Sequence, residues 1–82
     1  MSGAEKIANA WFDGNPKSSA NMHTDGKNLY SYNILIGQTL PGGAKVVINY
    51  TWKNSVSQTT SKHVNAALRV DKSVIALQPN PK

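Results

Sequence analysis

The chain has 82 residues and no cysteine, which is enough for one domain but excludes disulfides and cysteine–zinc sites. No apolar run approaches the ~20 residues of a membrane span, and the start lacks a signal peptide's apolar stretch. The formal net charge is +5, and residues 27–82 carry seven basic residues against one carboxylate. We therefore expect one cytoplasmic domain over residues 1–82, with no membrane partner and a basic C-terminal two-thirds. These basic residues either attract an anionic partner or only keep the domain soluble.

The N-terminal residues predict a short helix. Ser2 and Glu5 have the spacing of a capping box, which satisfies the first free N–H groups of a helix. The apolar residues that follow share one helical face: Ala4, Ile7, Ala8 and Trp11. Asp13-Gly14 ends the pattern, so the helix is expected over roughly residues 3–12. Residues 13–28 are rich in Gly, Asn, Pro, Ser and Lys, which predicts a surface loop.

A β-hairpin is predicted over residues 29–52. Residues 29–40 and 44–52 are rich in Tyr, Ile, Val and Thr, and Pro41-Gly42-Gly43 separates them as a turn. A three-residue turn places three cross-strand pairs on one apolar face: Ile36 with Ile48, Ile34 with Tyr50, and Tyr32 with Trp52. Gly43 is then the residue that takes a left-handed conformation. The same alternation places Ser31, Lys45 and Val47 on the opposite face, toward water or a partner.

The remaining residues predict a third strand, a second helix and an edge strand. Lys53-Asn54 marks a turn, and residues 55–60 have the pattern of a polar strand. Thr59, Thr60 and Ser61 are candidate helix caps, and Val64, Ala67 and Leu68 form the inner stripe of the helix that follows. Residues 73–77 could form a short edge strand, and residues 78–82 a frayed tail. The predicted fold is α+β in two layers: an N-terminal helix, a three-stranded antiparallel meander, a helix and the edge strand.

The sequence offers no catalytic constellation. His23 and His63 are the only histidines and have no metal-ligand spacing, and the four carboxylates are scattered. Ser61 and His63 lie two positions apart, but no acid or oxyanion motif accompanies them. We expect no catalytic residue, no metal and no cofactor, and hence a protein that is not an enzyme.

Candidate binding residues cluster where the second helix is predicted to begin. Free N–H groups at a helix N-terminus attract anions, and here Thr60, Ser61, Lys62 and His63 surround them. The alternative is an ordinary cap beside a solvated lysine. Three further basic residues join these candidates: Lys45, Lys53 and Arg69.

Three segments together resemble a small domain of unknown function found in phage and prokaryotic mobile-element proteins. These are Thr24-Asp-Gly-Lys-Asn-Leu-Tyr-Ser-Tyr, the lysine-bearing hairpin, and Thr59-Thr-Ser-Lys-His-Val-Asn-Ala-Ala. The resemblance covers residues 24–68 and implies a phage or mobile-element setting, without catalytic residues or an activity to transfer.

Two functions compete. The first is a non-enzymatic, phage-encoded interaction module that binds, and in one form inhibits, a host protein or nucleoprotein machine, as an anti-CRISPR-type inhibitor does. The second is direct, weakly specific nucleic-acid binding through the basic residues. An enzyme that uses His63 is a third and weaker hypothesis. Open sheet edges make a homodimer an alternative to a monomer.

Overall fold

The computed structural model describes residues 3–49 and 58–77, which form two helices and six strands. In chain order the elements are α1 (Gly3–Asp13), β1 (Lys17–Ser18), β2 (Met22–Thr24), β3 (Leu29–Ser31), β4 (Ile34–Thr39), β5 (Lys45–Ile48), α2 (Gln58–Leu68) and β6 (Ile75–Leu77). The strands make one sheet in sequential order, antiparallel from β1 to β5, with β6 parallel to β5 at the edge. The predicted α+β class is confirmed, but the sheet has six strands where the sequence predicted four.

Helix α1 forms as the sequence predicted. Its apolar face buries Ile7, Ala8 and Trp11, and Trp11 is fully enclosed. The indole Nε1 of Trp11 donates a hydrogen bond to the carbonyl of Lys27 at 3.0 Å, so the polar edge of the ring is also satisfied. This burial holds a short helix in place that would be marginal alone.

Both helices pack on the same face of the sheet. A side chain at Gly37 would point at the Trp11 ring of α1, and the neighbouring Ser31 contacts α2. The shared core contains residues from both helices and four strands: Ile7, Ala8, Trp11, Met22, Leu29, Ile36, Val47, Val64 and Ala67. The arrangement is a layer of two helices on a layer of sheet.

The β4–β5 hairpin has the predicted register. Gly37 pairs with Val47 and Thr39 with Lys45, which continues the pattern expected for a three-residue loop. Gly43 has φ of 93°, the left-handed conformation that glycine adopts without strain. The loop closes through a hydrogen bond from the N–H of Gly43 to the carbonyl of Leu40.

The face that β5 buries differs from the prediction. Between β3 and β4 the pairing moves from Leu29–Gly37 to Tyr30–Leu35, which leaves Ile36 as an extra residue in a β-bulge. Because of the bulge, Ile36 and the Gly37 position both face the helices. Val47, the partner of Gly37, is therefore fully buried in the core, whereas Ile48 is half-buried. The expectation that Val47 lies on the outer face is wrong.

The predicted strand over residues 29–40 is two strands joined by a tight turn. Ser31 pairs with Ile34, so Tyr32 and Asn33 form a two-residue hairpin loop. Tyr32 has φ of 55°, and positive φ at the first loop residue alone is the pattern of a type II′ turn. Sequence favoured a continuous strand here because tyrosine suits strands and rarely takes positive φ.

The predicted loop over residues 13–28 contains a further hairpin. Strands β1 and β2 pair with each other, and β2 pairs with β3. Met22 and Thr24 point into the core with His23 between them, an alternation too short to stand out among polar neighbours. The Asp25 carboxylate accepts hydrogen bonds from the N–H groups of Asn28 and Lys27, and these bonds lower the pKa of Asp25.

Helix α2 begins earlier than predicted. Residues 58–60 are helical, so the polar third strand over residues 55–60 is wrong at its C-terminal half. β6 lies beside β5 instead, which confirms an edge strand within residues 73–77. The inner stripe of α2 is also confirmed, because Val64 and Ala67 are fully buried and Leu68 packs against the core.

Several predictions lie outside the described residues: those for Tyr50, Trp52, Lys53, the first half of the third strand and the tail over residues 78–82. Neither helix in the described ranges is long and apolar enough to cross a membrane.

Candidate binding groove

A buried chain of polar side chains joins β3 to α2. The Ser31 hydroxyl donates to Thr60 Oγ1 at 3.1 Å, and its oxygen lies 2.6 Å from His63 Nδ1. All three side chains are at least nine-tenths buried. Because polar groups inside a protein are costly unless they are paired, this chain fixes how α2 sits on the sheet.

The hydrogen-bond network is used to assign the proton on the imidazole. We place the Ser31 hydrogen toward Thr60, so that the Ser31 oxygen accepts a hydrogen bond from Nδ1–H of His63. The neutral ring then carries its lone pair on Nε2. Burial lowers the pKa of His63 below its ordinary value, which favours this neutral form.

Ser31 and His63 do not have the geometry of a nucleophile and its base. Ser31 is fully enclosed beneath α2, so its hydroxyl does not reach a substrate. No carboxylate among the described residues is hydrogen-bonded to His63 to orient it. The described residues also hold no cluster of three His, Cys, Asp or Glu side chains that could bind a metal ion.

The other side of the His63 ring lines a groove between α1 and α2. The groove has a volume of about 370 Å³. Its walls come from both helices and the residue after α2: Ala4 and Glu5 from α1, Lys62, His63, Asn65 and Ala66 from α2, and Arg69. A smaller pocket of about 260 Å³ shares Glu5, Ala66 and Arg69 and adds Asn9 and Val70. Together these residues form one channel along the seam of the two helices, which we call the α1–α2 groove.

The α1–α2 groove is lined by charged side chains and by small ones. Lys62 and Arg69 are exposed and lie seven positions apart; Arg69 follows directly after α2, and its N–H still donates to the carbonyl of Asn65, which places the two cations about two turns apart on one side. Glu5 stands on the opposite wall and is engaged in an interaction of its own. Two cations therefore face one carboxylate, and the alanines between them leave space for a ligand.

The predicted binding residues separate into three groups. Lys62, His63 and Arg69 line the groove, whereas Thr60 and Ser61 do not. Thr60 and Ser61 were expected to cap α2, but the helix begins at Gln58. Thr60 is buried in the hydrogen-bonded chain instead. Lys53 lies outside the described residues.

Lys45 has a structural role and lies elsewhere. Its Nζ donates to the carbonyl of Trp11 at 3.0 Å and to Thr39 Oγ1 at 2.7 Å, and it stands 5.4 Å from the centroid of the Trp11 ring. The ammonium thus holds the last turn of α1 against the hairpin. Burial lowers the pKa of Lys45, and the Asp13 carboxylate partly offsets that effect. The expectation that Lys45 lies on the outer face is wrong, whereas its assignment as a binding residue stays a prediction.

Sequence reasoning missed the contributions of α1 and of Ser31. The spacing of Lys62, Asn65, Ala66 and Arg69 at i, i+3, i+4 and i+7 could have revealed one face of α2. No comparable signal exists for Ser31, because the turn at Tyr32 and Asn33 sets which face it occupies and tyrosine does not predict a turn. Tyr32 lies near the same network, with its ring centroid 6.3 Å from that of His63.

A family of unknown function, DUF8033, matches residues 5–77. The chain belongs to this family. The DUF8033 match spans more of the chain than the resemblance over residues 24–68 and includes most of α1. It confirms a domain of unknown function. No curated protein and no solved structure matches the chain.

Proposed function

We propose that this protein is a non-enzymatic interaction module that binds an acidic segment of a partner protein in the α1–α2 groove. The observation that carries the proposal is a groove of about 370 Å³ with a buried imidazole in its wall and two cations along its rim. Grooves between helices that combine a few placed polar groups with small side chains are common binding sites.

The charges of the groove favour an anionic ligand of limited length. Lys62 and Arg69 are separated by about 10 Å along the helix axis, from the rise of seven residues. Two carboxylates of one extended segment, two or more residues apart, can span that distance. Glu5 is the one carboxylate among the groove residues, so the two cations outnumber it and the groove attracts an acidic segment.

The distribution of the other cations favours a protein over nucleic acid. Lys45 is turned inward, and Lys17 lies on the far edge strand of the sheet, in β1. Neither residue lines the α1–α2 groove, so neither adds to the two cations there as a contact for the regular phosphates of a nucleic acid. Direct nucleic-acid binding is consequently the weaker candidate.

Charge reversal in the groove tests the proposal. The probe is a synthetic hexaglutamate peptide, and its affinity is measured by isothermal titration calorimetry at low ionic strength. Lys62→Glu and Arg69→Glu should each weaken binding about tenfold or more, because each replaces an attraction with a repulsion. Lys17→Glu is the matched control: the same change in net charge on β1 should alter the affinity less than threefold.

Equal losses in all three variants would show that the peptide responds only to net charge, and the groove assignment would be wrong. A nuclease-treated pull-down from host lysate extends the test to natural partners. A protein retained by the Lys17→Glu variant and lost by Lys62→Glu supports the proposal, whereas retention that depends on nucleic acid favours the alternative.

The narrower hypothesis, a phage-encoded inhibitor of a host nucleic-acid-associated machine, stays a prediction. Small size and the lack of a catalytic motif support it. Inhibition of a host machine by the wild type and not by Lys62→Glu would connect that activity to the groove.

A further inference from the structure

We propose that His63 Nε2 is the specificity-determining contact of the α1–α2 groove, and that an anionic oxygen bound there takes up one proton on that nitrogen. This inference rests on the proposed function and adds to it a defined atom and a proton linkage.

The first step is the orientation of the ring. Nδ1 is committed to Ser31 at 2.6 Å, which holds the imidazole in one position. Nε2 makes no hydrogen bond to any residue in the described ranges, although the side chain is only 7% exposed. Every fully buried side-chain nitrogen or oxygen in these ranges has a hydrogen-bond partner. Because Nε2 has none, this atom is partly exposed. His63 lines the groove, and we infer that Nε2, the ring nitrogen without a hydrogen bond in the described ranges, is the atom that a ligand there meets.

The second step is that protonation leaves the buried network unchanged. In the neutral ring Nδ1–H already donates to Ser31, and Ser31 donates to Thr60. An imidazolium makes the same two bonds and adds an Nε2–H donor toward the groove. The proton therefore changes only the surface that the ligand contacts.

The third step is the charge around the ring. Three charged residues line the same groove: Lys62 from α2, Arg69 directly after α2, and Glu5 from α1. Tyr32 from the β3–β4 turn adds an aromatic ring near His63. Without a ligand, burial lowers the pKa of His63 and favours the neutral ring. A carboxylate bound between the two cations accepts a hydrogen bond from Nε2–H, which raises the pKa of His63 in the complex.

The direction of the pH dependence follows from the higher pKa of His63 in the complex than in the free protein. Because the complex binds the proton more tightly than the free protein, affinity is greatest below the pKa of the free protein. It falls as pH rises toward the pKa of the complex. With one proton involved, the dissociation constant changes by at most about tenfold per pH unit in that window. Glutamate side chains titrate near pH 4.3, so the ligand itself stays ionised above pH 5.5.

The experiment titrates the full chain with hexaglutamate at pH 5.5, 6.5 and 7.5 by calorimetry, in two buffers of different ionisation enthalpy. We expect net proton uptake on binding and a dissociation constant that rises severalfold from pH 5.5 to 7.5. His63→Gln should still bind but without proton uptake or pH dependence. His23→Gln is the control: the only other histidine stacks on Tyr30, and its removal should leave both effects intact.

A measurement on the unaltered protein guards against a folding defect in the variant. The ring resonances of His63 report its pKa by NMR, and that pKa should rise when the peptide is added. Binding without proton uptake, or without a rise in the pKa of His63, overturns the proton linkage and leaves the groove assignment standing. Absence of binding at all three pH values overturns the proposed function itself.

Discussion

Ser31 Oγ lies 2.6 Å from His63 Nδ1, although 32 positions separate the two residues in the chain. This contact connects β3 to α2, the helix that carries Lys62 and ends just before Arg69. It also leaves the second ring nitrogen of His63, a residue that lines the groove, without a hydrogen bond in the described ranges. The same contact therefore stabilises the fold and orients the candidate site.

Ser31→Ala should lower the free energy of unfolding by about 1–3 kcal/mol, the usual cost of leaving a buried polar partner unpaired. The change removes the acceptor of His63 Nδ1–H and the donor to Thr60 together. Urea denaturation measures the loss. Ser18→Ala, on the exposed strand β1, should change stability by less than about 0.5 kcal/mol. Similar values for the two variants would mean that the buried network contributes nothing.

The stability of the protein should fall as pH decreases from 7.5 to 5.5. Burial lowers the pKa of His63 in the folded state, so the unfolded chain binds more protons in this window. The stabilising effect is complete above the unfolded value near 6.5 and is lost progressively below it. Urea midpoints at several pH values measure the slope. His63→Gln should flatten it and His23→Gln should not; an unchanged slope in His63→Gln would contradict the assignment.

The parts of the fold that the sequence predicted are those with strong local signals. The apolar face of α1 and the two strands around the Pro41–Gly43 turn each show a periodic pattern that ends at glycine or proline, and the structure confirms both the helix and the turn. The inner stripe of α2 follows the same rule, with Val64 and Ala67 buried. Local pattern also placed Lys62, His63 and Arg69 together on α2.

The parts that the sequence did not predict depend on long-range contacts. The bulge at Ile36 and the left-handed Tyr32 are set by how β3 pairs with β4, and neither residue type announces such a feature. The groove residues from α1 lie about 60 positions before the others in the sequence, so their proximity depends on how the two helices pack. Ser31 was assigned to the outer face because residues 29–40 were predicted to be one strand, whereas the chain turns at Tyr32 and Asn33 and Ser31 lies directly opposite Ile34.

Gly37→Ala should destabilise the protein by about 1–3 kcal/mol, the usual cost of overpacking a core. A Cβ at this position would stand 3.1 Å from Trp11 Cζ2 and 3.1 Å from Leu29 Cβ, so helix and strand would have to separate. Gly42→Ala is the matched control, because no atom lies within 4 Å of its added Cβ and its φ is not left-handed. Chemical denaturation of both variants checks the difference. A Gly37→Ala protein as stable as Gly42→Ala would show that Trp11 is not packed against β4.

Tyr32→Gly should leave the free energy of unfolding unchanged or raise it by up to about 1 kcal/mol. The left-handed conformation costs a non-glycine residue about 1–2 kcal/mol, and glycine removes that strain. Glycine also has greater backbone freedom in the unfolded state, which lowers the free energy of unfolding by roughly 0.5–1 kcal/mol. Tyr30→Gly, in strand β3 beside His23, lacks this relief and should destabilise by at least about 1 kcal/mol. A loss above 1 kcal/mol in Tyr32→Gly would mean that its side chain matters more than its strain.

Val47→Ala should cost more than Ile48→Ala, although isoleucine loses more carbon atoms. Val47 is fully buried among Trp11, Leu29 and Ile36, so removing two methyl groups loses their transfer energy and leaves a cavity. We expect about 2–3 kcal/mol for Val47 and about 1 kcal/mol for the half-buried Ile48. Urea melts with unchanged slopes give the two values on one scale. The hydrophobic alternation without a bulge predicts the reverse order, with Ile48 in the core and Val47 outside. The ranking of these two adjacent residues therefore tests whether the extra residue at Ile36 turns β5 over.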